Sequence, residues 1–352
     1  MKSKTTVAVG LSGGVDSAVT AYLLKKEGYN VVAFFMKNWE EDSKHCPAEQ
    51  DYQDALTVAE KINIPLYSFN FSKQYYDHVF QDLIDGLKRG TTPNPDILCN
   101  REIKFSVFMK KALSLGASYL ATGHYARIGE DFSLQRGVDG NKDQSYFLYT
   151  LKEDILKKTL FPLGGYTKPK IREIAELAGL PVFNKKDSTG ICFIGKRNFG
   201  DFIADYLPPA TGTFQTPDGK VLGVHKGAWF YTIGQRKGLC IGGPGEAWYV
   251  VGKDIDKHIV YVSQGENNKE LFTQTILATE ATWVGNPPIF PLQCTAKIRY
   301  RSIDVPCVVT DSPLGLKIIF DAPQRAVTPD QSIVFYSQDV CLGGALISCS
   351  LS

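Results

Sequence analysis

The sequence predicts an α/β domain built on a mostly parallel sheet, then a small β-rich central domain and a C-terminal β-barrel. Three observations carry this. Over roughly the first two hundred residues, short β-branched runs alternate with helix-length stretches, the pattern of βαβ units. A glycine loop, Ser12-Gly13-Gly14, separates the first such run from the first helix. After Pro208-Pro209 the pattern changes to strand-length runs bounded by turn residues.

The elements follow in order. Thr6 to Leu11 (TVAVGL) reads as a buried strand, and the next segment places Val15, Val19, Leu23 and Leu24 at helical spacing, with Gly28 as its stop. Asn30 to Met36 is a second strand, Asp51 to Asn63 a helix and Ile64 to Phe71 a third strand. Ser106 to Gly116 reads as helix, and Ala117 to Thr122 as a strand leading into Gly123-His124. Ligands of such sheets bind beyond the carboxyl ends of the strands, here Ser12–Gly14, Met36 and Gly123-His124. In the centre, Pro217-Asp218-Gly219 is a turn between two short strands, and Trp248 to Val251 and Ile259 to Ser263 flank a polar turn. Gln293 to Arg301, Pro306 to Thr310, Leu316 to Phe320 and Ser332 to Tyr336 supply the barrel. The domains fall at 1–200, 201–267 and 268–352.

Composition excludes several classes. With 43% hydrophobic and 22% charged residues the chain is no disordered polymer, and a net charge of +2 leaves any nucleic-acid partner to local patches. No apolar run is long enough to span a membrane, and the N-terminus lacks a secretory h-region, so the expected location is the cytoplasm. The eight cysteines include no C-x-x-C, which argues against a zinc ribbon, an iron–sulfur cluster or a thioredoxin motif.

Ser12-Gly13-Gly14-Val15-Asp16-Ser17 has the makings of an anion site. Glycines let backbone N–H groups approach a phosphate, the helix N-terminus adds partial positive charge, and serines add hydroxyl donors. It is neither G-x-x-x-x-G-K-[ST] nor G-x-G-x-x-G. Two cysteines also stand out: Cys99, close to Asp96 and Arg101, and Cys192, after the basic pair Lys185-Lys186. Neighbouring cations raise the thiolate fraction of a cysteine. Cys46, Cys240, Cys294, Cys307, Cys341 and Cys349 keep the plainer reading of buried structural thiols. From Tyr166 to Gly200, seven basic residues face three acidic ones, an excess suited to RNA.

The loop resembles the pyrophosphate loop of the N-type ATP pyrophosphatases. GLSGGVDS (10–17), NPDILCNREIKF (94–105), ATGHYAR (121–127), KDQSYFL (142–148), KDSTGICFIGKRNF (186–199), YTIGQRKGL (231–239) and KIRYR (297–301) together resemble the bacterial tRNA-specific 2-thiouridylases of the MnmA type. The resemblance implies an N-type ATP pyrophosphatase domain at the N-terminus. It implies that Gly10, Leu11, Ser12, Gly13, Gly14, Val15, Asp16 and Ser17 hold ATP, with Met36 beside the adenine and Gly123 completing the pocket. Cys99 is then the nucleophile, Cys192 the persulfide carrier and Asp96 a general acid/base. Asn94, Pro95 and Asp96 would contact the target uracil, and His124, Lys142, Asp143, Gln144, Arg299, Tyr300 and Gln331 the tRNA.

The implied reaction is ATP-dependent 2-thiolation of the wobble uridine in tRNAs for lysine, glutamate and glutamine, with Mg²⁺ and a persulfide sulfur-donor protein. The uracil C2 oxygen attacks the α-phosphate of ATP, because oxygen must become a better leaving group before sulfur can replace it. The Cys192 persulfide then supplies sulfur, and a transient Cys99–Cys192 disulfide remains for a reductant to open. Two rivals stand beside this: another adenylylating enzyme on the same loop, and a non-catalytic tRNA-binding protein. Consumption of ATP to AMP and pyrophosphate only with unmodified tRNA present separates them.

Overall fold

The computed structural model describes residues 2–40, 47–187 and 199–351. Its N-terminal part carries strands β1 (Thr6–Gly10), β2 (Asn30–Lys37), β3 (Leu66–Asn70), β4 (Tyr119–Ala121), the pair β5 (Ala126–Ile128) and β6 (Leu134–Arg136), and β7 (Thr159–Leu160). Five of these form one sheet in the order β3-β2-β1-β4-β7, and each pairing is parallel. Val7, Ala8 and Val9 have no exposed surface, as a central strand covered on both faces requires. Helices α1 (Val15–Lys26), α2 (Pro47–Lys61), α3 (residues 72–88), α4 (residues 95–114) and α5 (Lys168–Leu177) surround the sheet.

The strand order reverses at β1. β2 and β3 are laid down on one side of it, β4 and β7 on the other. Such a switch point leaves a crevice between the loops that follow β1 and β4. Those loops are Leu11–Gly14 and Thr122–His124.

Helix α4 departs from the sequence expectation. The run around Asn94 reads as a turn, with helix only from Ser106, yet the helix begins at Pro95. Asn94 Oδ1 accepts the backbone N–H of Asp96 (3.1 Å) and of Ile97 (3.4 Å), and Pro95 takes the first helical position. This is a cap followed by a residue whose missing N–H costs nothing there. From Cys99 to Phe108 the helix is wound as a π-helix, a form that recurs at functional sites.

The central part is a four-stranded sheet of β8 (Gly212–Gln215), β9 (Val221–His225), β10 (Trp248–Asp254) and β11 (Ile259–Gln264) in the order β10-β11-β8-β9. Strands β12 (Phe272–Trp283), β13 (Leu292–Lys297), β14 (Val305–Ser312), β15 (Gly315–Arg325), β16 (Ser332–Ser337) and β17 (Val340–Leu351) follow. They close into an antiparallel barrel through pairing of β12 with β17. Its interior holds Ile276, Ile318, Phe320, Ile333, Phe335 and Ile347. The expected strand from Gln293 to Arg301 stops at Lys297, and Arg301 has a φ of 67°. Arg299 and Tyr300 therefore sit in a turn rather than on a strand face.

The three parts are less separate than the sequence suggests. The β5–β6 hairpin, from the N-terminal part, pairs with β17 and extends the barrel's sheet by two strands. Leu134 on β6 shares one buried cluster with Val334, Tyr336 and Cys341 of the barrel and with Phe108 and Leu120 of the first domain. Arg136 locks the junction: its guanidinium lies 3.6 Å from the centre of the Tyr336 ring and pairs with Asp304.

Candidate active site

The phosphate loop is built by close approach. Leu11 N–H donates to Phe34 O (2.9 Å), which fixes the chain as it leaves β1. Gly13 has a φ of +75°, and a Cβ there would meet Asp51 O at 2.2 Å, so only glycine fits. Gly123 is excluded from substitution differently: a Cβ would come within 3.0 Å of Ser17 N, where the loop after β4 crosses the start of α1. Ser17 Oγ donates to Gly14 O (3.0 Å) and accepts Ser12 N–H (3.1 Å), which holds the loop closed on itself. The N-terminus of α1 has no side-chain cap. Its leading N–H groups carry the helix's partial positive charge, so a bound phosphate fits there. Met36 is half-buried at the end of β2, in register with Phe69.

A lattice of ion pairs lies beside the loop. Asp16 accepts from Tyr125 Oη (2.7 Å) and from Lys168 Nζ, 2.8 Å from each carboxylate oxygen. Lys168 also pairs with Asp187 (2.8 Å), which receives Lys142 (2.5 Å) and Arg172 (2.8 Å) as well. Lys185 reaches Gly13 O (3.0 Å), Asp51 (2.8 Å) and Asp54 (2.5 Å). The described part of this basic stretch is thus engaged at Lys168, Lys170, Arg172 and Lys185. Its partners Asp16, Asp51 and Asp54 lie far away in sequence, which is why a local charge count makes these lysines look available to RNA.

Burial alone would raise the Asp187 pKa, yet hydrogen bonds from Lys142 and Lys168 hold it at about 2, against an ordinary 3.8. Its ionised form is therefore favoured by folding. The stabilisation is complete above pH 3.8 and disappears as the pH falls through about 2. Asp187→Asn should lose part of that acid-dependent stability. Urea midpoints of both proteins between pH 5 and pH 2 measure it, and parallel curves would remove Asp187 from the account.

Cys99 lies at the start of the π-wound segment and is 2% exposed. Arg101 turns away to Glu102 (2.6 Å). Asp96, one turn earlier, is largely buried; burial raises its pKa and the Lys104 ammonium opposes that rise. His124 is 9% exposed, hydrogen-bonded through Nδ1 to Thr122 Oγ1 (2.7 Å), with the Phe105 and Phe161 rings 5.9 Å away. Burial, then the charge of Lys104, holds its pKa well below 6.5. Lys104, inside the 94–105 stretch but not singled out there, therefore acts on both groups.

The remaining candidates divide into two groups. Lys142, Gln144, Tyr300 and Gln331 are half-buried, and Tyr300 packs on Phe147 with ring centres 4.4 Å apart. Gln331 Nε2 donates to Thr92 O (2.5 Å), tying the barrel to the segment that enters α4. Asp143 is 6% exposed and accepts from Gly137 N, Ser145 N and Ser145 Oγ. Arg299 reaches Ile233 O (3.1 Å), Ala326 O (2.6 Å) and Thr328 Oγ1 (2.7 Å), a clamp between the central domain and the barrel. Arg299→Ala should cost about 3 kcal/mol, since hydrogen bonds from a charged donor are lost and carbonyls are left unpaired. Thermal unfolding tests this; an unchanged Tm with a flatter salt dependence of tRNA binding would instead put the guanidinium on RNA.

Cys192, with Lys196 and Arg197, lies outside the described residues, as does Cys46. Both flanks of the Cys192 segment are placed. Asp187 is fixed beside the phosphate loop, and the helix Phe199–Ala204 buries Phe202 against Phe80. Of the other cysteines, Cys240 is exposed rather than buried, and Cys294 and Cys349 are half-buried.

A family model described as the HUP domain of tRNA methyl transferase matches residues 5–196. One described as the PRC-barrel domain of tRNA methyl transferase matches residues 200–264, and an aminomethyltransferase beta-barrel domain matches 273–347. Among solved structures, the U34-tRNA thiolase NcsA from Methanococcus maripaludis has a TM-score of 0.37 and 20% identity over 58% of this chain and 67% of that one, too loose a likeness to decide anything. Full-length relatives decide more. The tRNA-specific 2-thiouridylase MnmA of Protochlamydia amoebophila is 52% identical, covering 99% of this chain and 94% of the relative. That of Listeria welshimeri is 51% identical over 98% and 95%. The methyl-transfer wording of the domain models does not extend to these relatives, whose names specify thiolation. Identity at this level across all three domains means that the chain belongs to the family of tRNA-specific 2-thiouridylases.

Proposed function

We propose that the protein is an ATP-dependent tRNA-uridine 2-sulfurtransferase acting at the wobble uridine. The observation that carries this is the crevice at the strand-order reversal. An uncapped helix N-terminus there meets a glycine loop, and the ion lattice of Asp16, Lys168 and Asp187 lies beside it. Gly10–Ser17, Met36 and Gly123 hold ATP. A nucleotide-borne Mg²⁺ would be held mainly by the substrate phosphates, since Asp16, the carboxylate beside the loop, is bound by Lys168 and Tyr125. Among the described residues no cluster of three or more ligating side chains forms a metal cage.

In this reading the uracil enters beside Asn94, Pro95 and Asp96. Its C2 oxygen attacks the α-phosphate, pyrophosphate leaves, and the helix dipole steadies the departing charge. The raised pKa of Asp96 suits a group that holds and returns a proton. The terminal sulfur of the Cys192 persulfide adds to C2 and AMP departs with the oxygen. Cys99 attacks Cys192 Sγ, breaks the S–S bond and leaves a disulfide, which a two-electron reductant reopens. Lys142, Gln144, Tyr300 and Gln331 edge the tRNA surface, and His124, Asp143 and Arg299 support it from behind. A target base in a folded loop must be splayed out to enter.

The same reading takes tRNAs for lysine, glutamate and glutamine as acceptors and a persulfide-carrying protein as sulfur donor. It keeps the domain division at 1–200, 201–267 and 268–352 and puts the reaction in the cytoplasm. No helix among the described residues is long and apolar enough to cross a membrane. AMP and pyrophosphate should form in stoichiometry with 2-thiouridine, and only when unmodified tRNA is present. Mass spectrometry of the tRNA alongside an AMP assay reads this. AMP formation without tRNA would favour a small-molecule adenylylating enzyme, and tRNA binding without AMP a non-catalytic protein.

A further inference from the structure

The barrel holds a second pair of cysteines. The antiparallel register of β13 and β14 sets Cys294 directly opposite Cys307, and the two Sγ atoms are 3.7 Å apart. Residues opposed in this way have Cα atoms about 4.5–5.5 Å apart, inside the roughly 4.4–6.8 Å that a disulfide spans. Bringing the sulfurs to about 2.05 Å therefore requires side-chain rotation and no slip of the strands. Cys307 is 3% exposed, whereas Cys294 is half-buried and is the sulfur a reagent meets first. The hydrogen bond to Cys294, and then burial, push the Cys307 thiol up, so it remains protonated until its neighbour has reacted. Two sulfurs alone make no metal cage, and no group of three or more ligating side chains occurs among the described residues.

We propose that Cys294 and Cys307 form a thiol-exchange site that accepts small disulfides such as oxidised glutathione and closes into a cross-strand disulfide. The thiolate of Cys294 attacks one sulfur of the small disulfide, and the other half leaves as a thiolate. Cys307 gives its proton to solvent and attacks Cys294 Sγ, expelling the second half. Two protein thiols are oxidised to one disulfide, and one small disulfide is reduced to two thiols. The closed bond staples β13 to β14 and shortens the free loop between them in the unfolded chain, so the barrel gains stability.

The site is independent of the thiolation reading and is tested on the full chain. After incubation with oxidised glutathione and quenching of remaining thiols with iodoacetamide, peptide mapping should show a Cys294–Cys307 cross-link two hydrogens lighter than the separate peptides. The Tm should rise by several degrees and return on adding dithiothreitol. Cys294→Ala and Cys307→Val should each lose the cross-link and the rise in Tm. A stable glutathione adduct on Cys294 with Cys307 alkylated would overturn the proposal. So would alkylation of both cysteines in wild-type protein, a result that needs no variant to fold.

Discussion

Thiolated tRNA should fall by at least about 10³-fold when Cys99 is replaced by serine, while labelled sulfur still accumulates on Cys192. The serine hydroxyl cannot resolve a persulfide, so the carrier loads once and stalls. Cys192→Ser should fail earlier and accept no label at all. The test follows protein-bound label and 2-thiouridine in parallel. Label on Cys99 rather than Cys192 would reverse the roles, and full turnover without Cys99 would remove it from the reaction. With Cys99 only 2% exposed, the resting protein keeps this thiol covered. Access must come with substrate, because the two sulfurs have to approach to about 2.05 Å during turnover. Iodoacetamide labelling of Cys99 should accordingly quicken when tRNA and a non-hydrolysable ATP analogue are bound.

The second large effect is expected at Lys168, whose side chain is 10% exposed between Asp16 and Asp187. Lys168→Met leaves two carboxylates facing each other without their shared cation. Removing one partner from a buried pair costs about 3–5 kcal/mol, and the roughly one-third exposure of both aspartates lowers that to about 2–3 kcal/mol here. The tRNA-dependent formation of AMP should drop about 10²-fold, since Lys168 fixes the carboxylate that opens α1. Asp16→Ala should resemble it, and the double variant should be little worse than either alone because both changes dismantle one unit. Binding of tRNA should stay nearly intact in all three. Normal AMP formation in Lys168→Met would reduce the pair to a packing contact.

The course of the N-terminal sheet was legible because its strands are continuous apolar runs and each is punctuated at the end where the chemistry sits. The loop at Ser12–Ser17 was legible for the same reason: its glycines and serines are adjacent in sequence and in space. What sequence reading missed were relations between distant residues. Lys168 meets Asp16 across 152 positions and Lys185 meets Asp54 across 131, so two charges of the basic 166–200 stretch have internal partners that a local count does not see. Asn94 and Pro95 stand beside Cys99 in a run that reads as a turn, yet they form a helix start, an Asn cap followed by proline, whose signature the sequence also carries. Lys104 lies within NPDILCNREIKF, yet nothing there marks it out; only the fold brings its charge to Asp96 and His124. The barrel interior alternated clearly enough, but β5 and β6 are three residues each, too short for periodicity to show.

Those two short strands set a timetable for synthesis. The partner of β6, β17, lies roughly 200 residues further along the chain and is made correspondingly later. At about 5–20 residues per second, the hairpin waits some 10–40 s with one edge unpaired and Leu134 uncovered. The nascent N-terminal domain therefore presents a sticky ribbon until β17 arrives. Nonsense mutations ahead of β17 should be disproportionately harmful: they delete the strand that closes the barrel and also strand an edge some 200 residues upstream.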